Sequence, residues 1–350
     1  MGGTHMNRRE VLKSAAGLAA WSGFWSARAR AQQGAEPPAV TAPAGQETRR
    51  GDMLYRVLGK TGVQVSALGL GGYHIGTIKT EKECIQLVRS AIDAGVTFMD
   101  NCWDYHQGKS EEWMGAALRD GYREKVFVMS KFDGRTRASA ARQIDESLQR
   151  LKIDRIDLMQ VHEIIRLEDP DRCFAKGGCI EALEEARRAG KVRFVGFTGH
   201  KDPIAHNRML DLADRHGYRF DAVQMPLNVL DASFRSFAQD TLPRLVASGI
   251  GVLGMKPLAS GAIVKNGIAT AQECLGYALT LPTSVVITGM ESMERLRQAL
   301  EVVKNFKPMD KDQMAALLAR TAPAARTGEY EQFKTTAHFD GTARFPQWLG

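Results

Sequence analysis

Residues 80–105, TEKECIQLVRSAIDAGVTFMDNCWDY, contain one whole structural unit. Positions 80–94 read as an amphipathic helix, Gly95 as its stop, and 96–100 as a short apolar strand. The strand ends in a polar cluster, Asp100, Asn101, Cys102, Trp103, Asp104 and Tyr105. Working outward, apolar runs recur at 65–70, 126–131, 156–162, 192–198, 222–226, 251–257 and 284–289. Helical candidates fall between and after them, near 109–119, 138–151, 179–189, 203–216, 237–248, 270–280 and 292–304, with Gly190, Gly217 and Gly249 as further stops. Such alternation marks parallel βαβ units. Eight strands and eight helices over 65–304 predict an α/β fold, a (β/α)8 TIM barrel.

An open dinucleotide-binding sheet fits less well. Gly69-Leu70-Gly71-Gly72 is followed by Gly76 without the G-x-G-x-x-G spacing that such a sheet wants after its first strand. Residues 53–65, containing Gly59-Lys60-Thr61-Gly62, read as a hairpin plugging the N-terminal end of the barrel.

The chain has 350 residues and a net charge of +7, with 44% hydrophobic and 25% charged residues. That composition excludes disorder for its bulk. Residues 1–31 carry Arg8, Arg9, Lys13, Arg28 and Arg30 against Glu10, which leaves the remainder only mildly basic. No basic run is interleaved with aromatics, so no nucleic-acid partner is expected. Residues 1–6 read as a cloning scar. Asn7-Arg8-Arg9-Glu10-Val11-Leu12-Lys13 resembles a twin-arginine export signal, followed by a short apolar core over 15–25 and a small-x-small cleavage site at Ala29-Arg30-Ala31. The expected partner is the twin-arginine export machinery, and the expected location is periplasmic or exported after cleavage near Ala31. That route carries folded proteins, often with cofactor already bound. A flexible linker is expected over 32–52, the barrel over 53–306 and a C-terminal extension over 307–350, with no stable membrane anchor. Cys84, Cys102, Cys173, Cys179 and Cys274 lack metal-site spacing, so no metal is expected. For Cys173 and Cys179 a disulfide and two thiols are both open, the thiols being favoured.

In a barrel, function collects where strands end. Asp100 and Tyr105, Lys131, His162 with Glu163, Thr198-Gly199-His200, Gln224 and Met255-Lys256 all stand at that rim. A phenol titrates near 10, a poor match for donating protons at neutral pH. Lys131 beside Tyr105 is expected to lower that value, with Asp100 fixing the ammonium. His162 then orients a carbonyl toward a hydride donor. Taken singly each residue also has a structural reading, as a cap, a solvated lysine or a satisfied histidine.

The motifs Leu58-Gly59-Lys60-Thr61-Gly62, 91–100 leading to Tyr105 and Ser110-Glu111, Ser130-Lys131-Phe132, 157–162, Gly190-Lys191-Val192-Arg193 and Pro257-Leu258 together resemble the aldo-keto reductase family over about 54–306. The resemblance implies an NAD(P)H-dependent oxidoreductase acting on a carbonyl or alcohol, in which Tyr105 is the general acid/base, Lys131 and Asp100 tune it, and His162 orients the carbonyl. It places Thr198 and Gln224 at the nicotinamide carboxamide, and Met255 where an aromatic commonly stacks on the ring. Lys256, Leu258 and Ser260 fall in the pyrophosphate loop, and 289–295, with Gly289 and Arg295, at the adenosine phosphate. NADP(H) is favoured slightly over NAD(H). The chain departs from the family pattern at Glu291, which would repel a ribose phosphate, at Gln298-Ala299 in place of Glu-Asn, and at Gly199-His200.

Tyr73, His74 and Trp103 lie on rim loops and are the expected substrate contacts. The aromatics Tyr330, Phe333, His338, Phe339, Phe345 and Trp348 belong either to the pocket wall or to the barrel exterior. A non-catalytic exported binding or scaffold protein on the same barrel is the alternative function, disfavoured by the intact four residues.

Overall fold

The structure, a computed structural model, describes residues 47–350. The expected export signal, the expected cleavage site and linker residues 32–46 lie outside the described residues. Strands β1 (Glu47–Arg50), β2 (Met53–Val57) and β3 (Gln64–Ser66) form a small antiparallel sheet. Eight more strands close a parallel barrel: β4 (Leu68–Leu70), β5 (Phe98–Met99), β6 (Phe127–Phe132), β7 (Ile156–Val161), β8 (Val192–Thr198), β9 (Ala222–Pro226), β10 (Gly251–Met255) and β11 (Val285–Thr288). Outside them run α1 (Glu81–Asp93), α2 (Lys109–Ala117), α3 (Arg137–Leu151), α4 (Cys179–Arg188), α5 (Pro203–Arg215), α6 (Leu242–Ser248), α7 (Ala271–Thr280) and α8 (Met293–Lys304). A ninth helix, α9 (Lys311–Ala325), opens the C-terminal extension.

Local chemistry explains the boundaries. The Thr80 hydroxyl accepts from the Glu83 amide to start α1, whose buried stripe is Cys84, Leu87, Val88, Ala91 and Ile92. Phe98, Phe127, Met129, Leu158, Leu253, Val285 and Ile287 fill the barrel, and Leu58 and Val65 of the hairpin join them from below. Gly59, at φ +51, lets the turn dock there, because a Cβ would come within 2.4 Å of the Gly251 nitrogen.

Three expectations need correction. The linker does not extend to 52, since Glu47 already pairs with β2 and its carboxylate meets Arg56 at 2.7 Å. That buried guanidinium also donates to the carbonyls of Thr283 and Leu279, so β1 supplies its counter-charge. The run 65–70 is two strands, because at Ser66 the chain leaves the hairpin. The Ser66 hydroxyl accepts from the Thr97 and Phe98 amides and donates to the Leu68 carbonyl, fastening the corner. The helix expected over 237–248 breaks at Thr241, since Pro243 cannot continue the amide ladder; a short turn, Phe237–Asp240, precedes α6. A further short helix, Asp169–Phe174, was not anticipated.

All five cysteines are buried free thiols. Among the described residues no helix is long and apolar enough to cross a membrane.

Candidate active site

Asp100 follows β5, Lys131 lies in β6 and His162 follows β7, so three neighbouring strand ends deliver their side chains to one place. Tyr105 arrives on the turn after β5, where His106 and Gln107 both take left-handed backbone, at φ 52 and 59. Two such non-glycine residues in succession are costly and persist only where surrounding contacts hold them. The Lys131 Nζ donates to Asp100 Oδ1 at 2.6 Å, to the Asn101 carbonyl at 2.6 Å and to the Tyr105 hydroxyl at 3.2 Å. The Tyr105 ring meets His162 edge-on at 6.1 Å and Tyr73 edge-on at 5.4 Å. The four expected residues therefore do converge.

Their electrostatics differ from expectation. Burial above all, and then the Asp100 carboxylate, push the Tyr105 phenol well above its ordinary value. The Lys131 ammonium, 3.2 Å from the hydroxyl, is shared with Asp100 and the Asn101 carbonyl and does not offset the burial. Tyr105 is thus a neutral donor, and the nearby ammonium can act once charge develops on its oxygen. Burial likewise pushes His162 down, toward neutral imidazole. The His162 Nδ1 is held by Asp133 Oδ1 at 2.9 Å, with Cys102 Sγ at 3.3 Å. That leaves Nε2 for the centre.

Beside the tetrad lies a band of polar groups without partners. Thr198 and Gln224 are opposite each other in β8 and β9, and the Thr198 Oγ1 and Gln224 Oε1 are buried without hydrogen bonds. Gln160, opposite Lys131, leaves both ends of its amide unpaired. Unpaired buried polar atoms are costly. These offer hydroxyl, carbonyl and amide groups of the kinds a nicotinamide carboxamide requires, and the residues present fit that group. In the outer loop Lys256, Ala259 and Ser260 have φ of 53, 47 and 56, a left-handed backbone of the kind that turns amides toward anions. Leu258 packs on the core and Met255 stands at the end of β10. Gly289 follows β11, while exposed Arg295 lies in α8 and bonds Gln298 at 3.0 Å.

Lys256 stands in the outer loop directly after β10. Its Nζ lies over the rings of Phe333 and Phe339, at 5.3 and 5.4 Å, and burial with Lys131 nearby lowers it to about 8. The head group is thus turned under the C-terminal extension. His74 packs on Gly289 so closely that a Cβ there would lie 2.5 Å from its Nδ1. It flanks the β11 loop. Trp103 is only 9% exposed, donating to Glu146 at 2.6 Å and packing edge-on against Trp348, so it is no free rim contact. Tyr73, 52% exposed, stands on the rim beside Tyr105.

The extension crosses the catalytic end of the barrel as a strap. Lys334 is fully buried against Asp231, Asp340 bonds His200 and Lys201, and Glu163 accepts from the Gly341 and Thr342 amides at 2.8 and 2.7 Å. The strap ends with the Leu349 carbonyl accepting from the Arg135 amide at 2.8 Å. Of its aromatics, Phe333, Phe339 and Trp348 face the rim groups Lys256, His200 and Trp103. Asp133 and the strap partners of Glu163 and His200 escaped the sequence reading. Asp133 had a signal, two residues beyond Lys131 at a strand end.

Residues 67–267 match the model of the Aldo/keto reductase family. L-galactose dehydrogenase of Arabidopsis thaliana is 32% identical over 232 residues, covering 61% of this chain and 67% of that protein. Aldo-keto reductase YhdN of Bacillus subtilis is 33% identical over 161 residues, which is 42% of this chain and 47% of that one. Among solved structures, the holo form of aldo-keto reductase AKR11C1 from Bacillus halodurans superposes with a TM-score of 0.65 at 21% identity, covering 79% of this chain and 99% of that one.

Proposed function

Since the chain belongs to the aldo/keto reductase family, whose members are NAD(P)H-dependent carbonyl oxidoreductases, we propose that it interconverts a small aldehyde, ketone or sugar and the matching alcohol, with Tyr105 as the acid. The observation that carries the reading is the Lys131 ammonium bridging Asp100 and the Tyr105 hydroxyl beside His162. The nicotinamide supplies or accepts the hydride when bound, and Thr198, Gln224 and Gln160 are the groups that would hold its carboxamide. The substrate oxygen is received between the Tyr105 hydroxyl and His162 Nε2–H, in the tautomer whose Nδ1 accepts from the Asp133 carboxyl, which burial pushes up to about 8. Tyr105 gives up its proton as the oxygen gains charge, and Lys131 stabilises the phenolate left behind. In the reverse direction that phenolate takes the alcohol proton. The relative named L-galactose dehydrogenase supports a sugar among the substrate classes.

NADP(H) is slightly favoured over NAD(H) on family grounds and the retained Arg295, against the exposed Glu291. Arg8-Arg9 and the segment following them support export. An exported reductase needs its cofactor to stay bound, and the strap over Lys256 and His200 is suited to retaining it. Denaturing the extensively dialysed protein and identifying the released nucleotide tests this. Retained nicotinamide is expected, together with alternating turnover of paired alcohol and carbonyl substrates without added cofactor. An empty protein fully reactivated by micromolar cofactor would overturn retention alone. Failure to reduce any test aldehyde with either nucleotide would overturn the activity.

A further inference from the structure

Behind the catalytic histidine, four potential metal ligands meet. Cys102 Sγ, His162 Nδ1 and one carboxylate oxygen each from Asp104 and Asp133 all lie within 4.8 Å of one another. The turn after β5 supplies Cys102 and Asp104, the end of β6 supplies Asp133 and the end of β7 supplies His162. Cys102 is fully buried, and the Asp133 side chain is 1% exposed. His162 Nδ1 has three claimants: Asp133 at 2.9 Å, Cys102 at 3.3 Å and Asp104 at 3.8 Å. One ring nitrogen can make one good hydrogen bond.

The carboxylates lack a cation. Among the described residues, Asp104 and Asp133 have His162 as their ion-pair partner and no lysine or arginine within 4 Å. Asp104 Oδ1 and Asp133 Oδ2 are buried without a hydrogen bond. The two nearest basic side chains are engaged elsewhere. Arg135 donates to the carbonyls of Asp133, His162 and Glu163 and to Asp169, while Lys131 holds Asp100 and Tyr105. Buried carboxylates in this condition are paired with a cation or give up their charge.

We propose that Cys102, Asp104, Asp133 and His162 Nδ1 form a tetrahedral site for one zinc ion. Zinc bonds of about 2.0–2.3 Å to N, O and S put donors roughly 3.3–3.7 Å apart. The three separations from His162 Nδ1, 2.9, 3.3 and 3.8 Å, need changes of a few tenths of an ångström, and donors spread as far as 4.8 Å must draw in by about 1 Å. Binding displaces the thiol proton, and any carboxylic proton, to solvent. A metal on Nδ1 leaves the ring proton on Nε2, so His162 faces the centre as a donor. This consequence rests on the proposed role of His162, whereas the site itself does not. The ligands come from three separate strand ends, which explains why no spacing motif marks the site.

The test is equilibrium binding to the full chain, stripped with dipicolinate and dialysed. Zinc is titrated against a chromophoric chelator, and cobalt(II) is followed by absorption. One equivalent of zinc with a Kd of ~10⁻⁷ M or tighter is expected. Cobalt should give a thiolate charge-transfer band with tetrahedral ligand-field bands. Cys102→Ser should abolish the charge-transfer band, and Asp133→Asn should weaken zinc binding at least about 100-fold, the upper range for lost metal-site partners. Cys84→Ser, a buried thiol elsewhere, should change neither. Absence of stoichiometric zinc binding in the wild-type chain overturns the proposal, whether or not the variants fold. So does binding that survives Cys102→Ser and Asp133→Asn unchanged. Both results are independent of turnover, so failure here leaves the reductase reading standing.

Discussion

Tyr105 shows how burial and charge divide a single group's behaviour. Its phenol is pushed up, so it is protonated across the neutral range and competent as a donor without titrating. Tyr105→Phe should lower turnover by about 10²–10⁴ while nucleotide affinity stays near wild type, as steady-state rates and fluorescence titration would show. The wild-type reduction rate should lack an alkaline limb between pH 6 and about 9, because the proton donor's pKa lies above that window. His206 shows the same physics in a structural role. It is enclosed between Phe197 and Phe237, and burial pushes it down to about 3. The unfolded chain takes up this proton near pH 6.5 and the folded one does not. Stability from this histidine is therefore present above about 6.5 and lost as pH falls toward 3, at roughly 1.4 kcal/mol per unit. Urea unfolding of wild type and His206→Leu between pH 7 and 4.5 should show the wild type losing more. Equal losses would mean that His206 is protonated in the fold.

At the scale of elements, the strap is held by its two ends and by Asp340 in the middle. Asp340 lies between His200 at 3.1 Å and Lys201 at 2.6 Å, and despite burial these partners hold its carboxyl below the ordinary range. Its contribution is thus present above about pH 4 and lost as pH falls through the lowered value. Asp340→Asn should cost roughly 1–3 kcal/mol, speed nucleotide release and open the segment beyond Gly328 to protease. Unchanged release with normal proteolysis would show that the strap does not govern access. None of this was legible in the sequence. Asp100, Lys131 and His162 could be read locally because each sits where an apolar run ends. The contact of Glu163 with Thr342 spans 179 residues and has no local pattern. The broken helix before α6 was legible in principle, through Pro243, and the corner at Ser66 only through its hydroxyl contacts.

For the whole molecule, closure at the bottom matters as much as chemistry at the top. Leu58, with no exposed surface, projects from the hairpin into the barrel against the layer containing Phe98 and Leu253. Leu58→Ala should destabilise the fold by about 2–5 kcal/mol, measured by denaturant unfolding, with turnover per folded molecule unchanged. A loss of turnover in the folded fraction would mean that strain travels the length of the barrel. The eight-stranded plan was readable because every strand repeats the same local pattern. The course of the C-terminal extension was not, since Leu349 is ordered by Arg135, a partner distant in sequence.

His162 and Glu163 are neighbours in sequence with opposite commitments, the first to the reacting centre and the second to the strap. If the strap walls the substrate pocket, the chemistry and the choice of substrate are inherited separately. Substitutions around Phe345 and Trp348 can then drift, altering what is admitted, without disturbing the strand ends that carry Asp100, Lys131 and His162. Such a division would let selection explore new substrates at little risk to the fold.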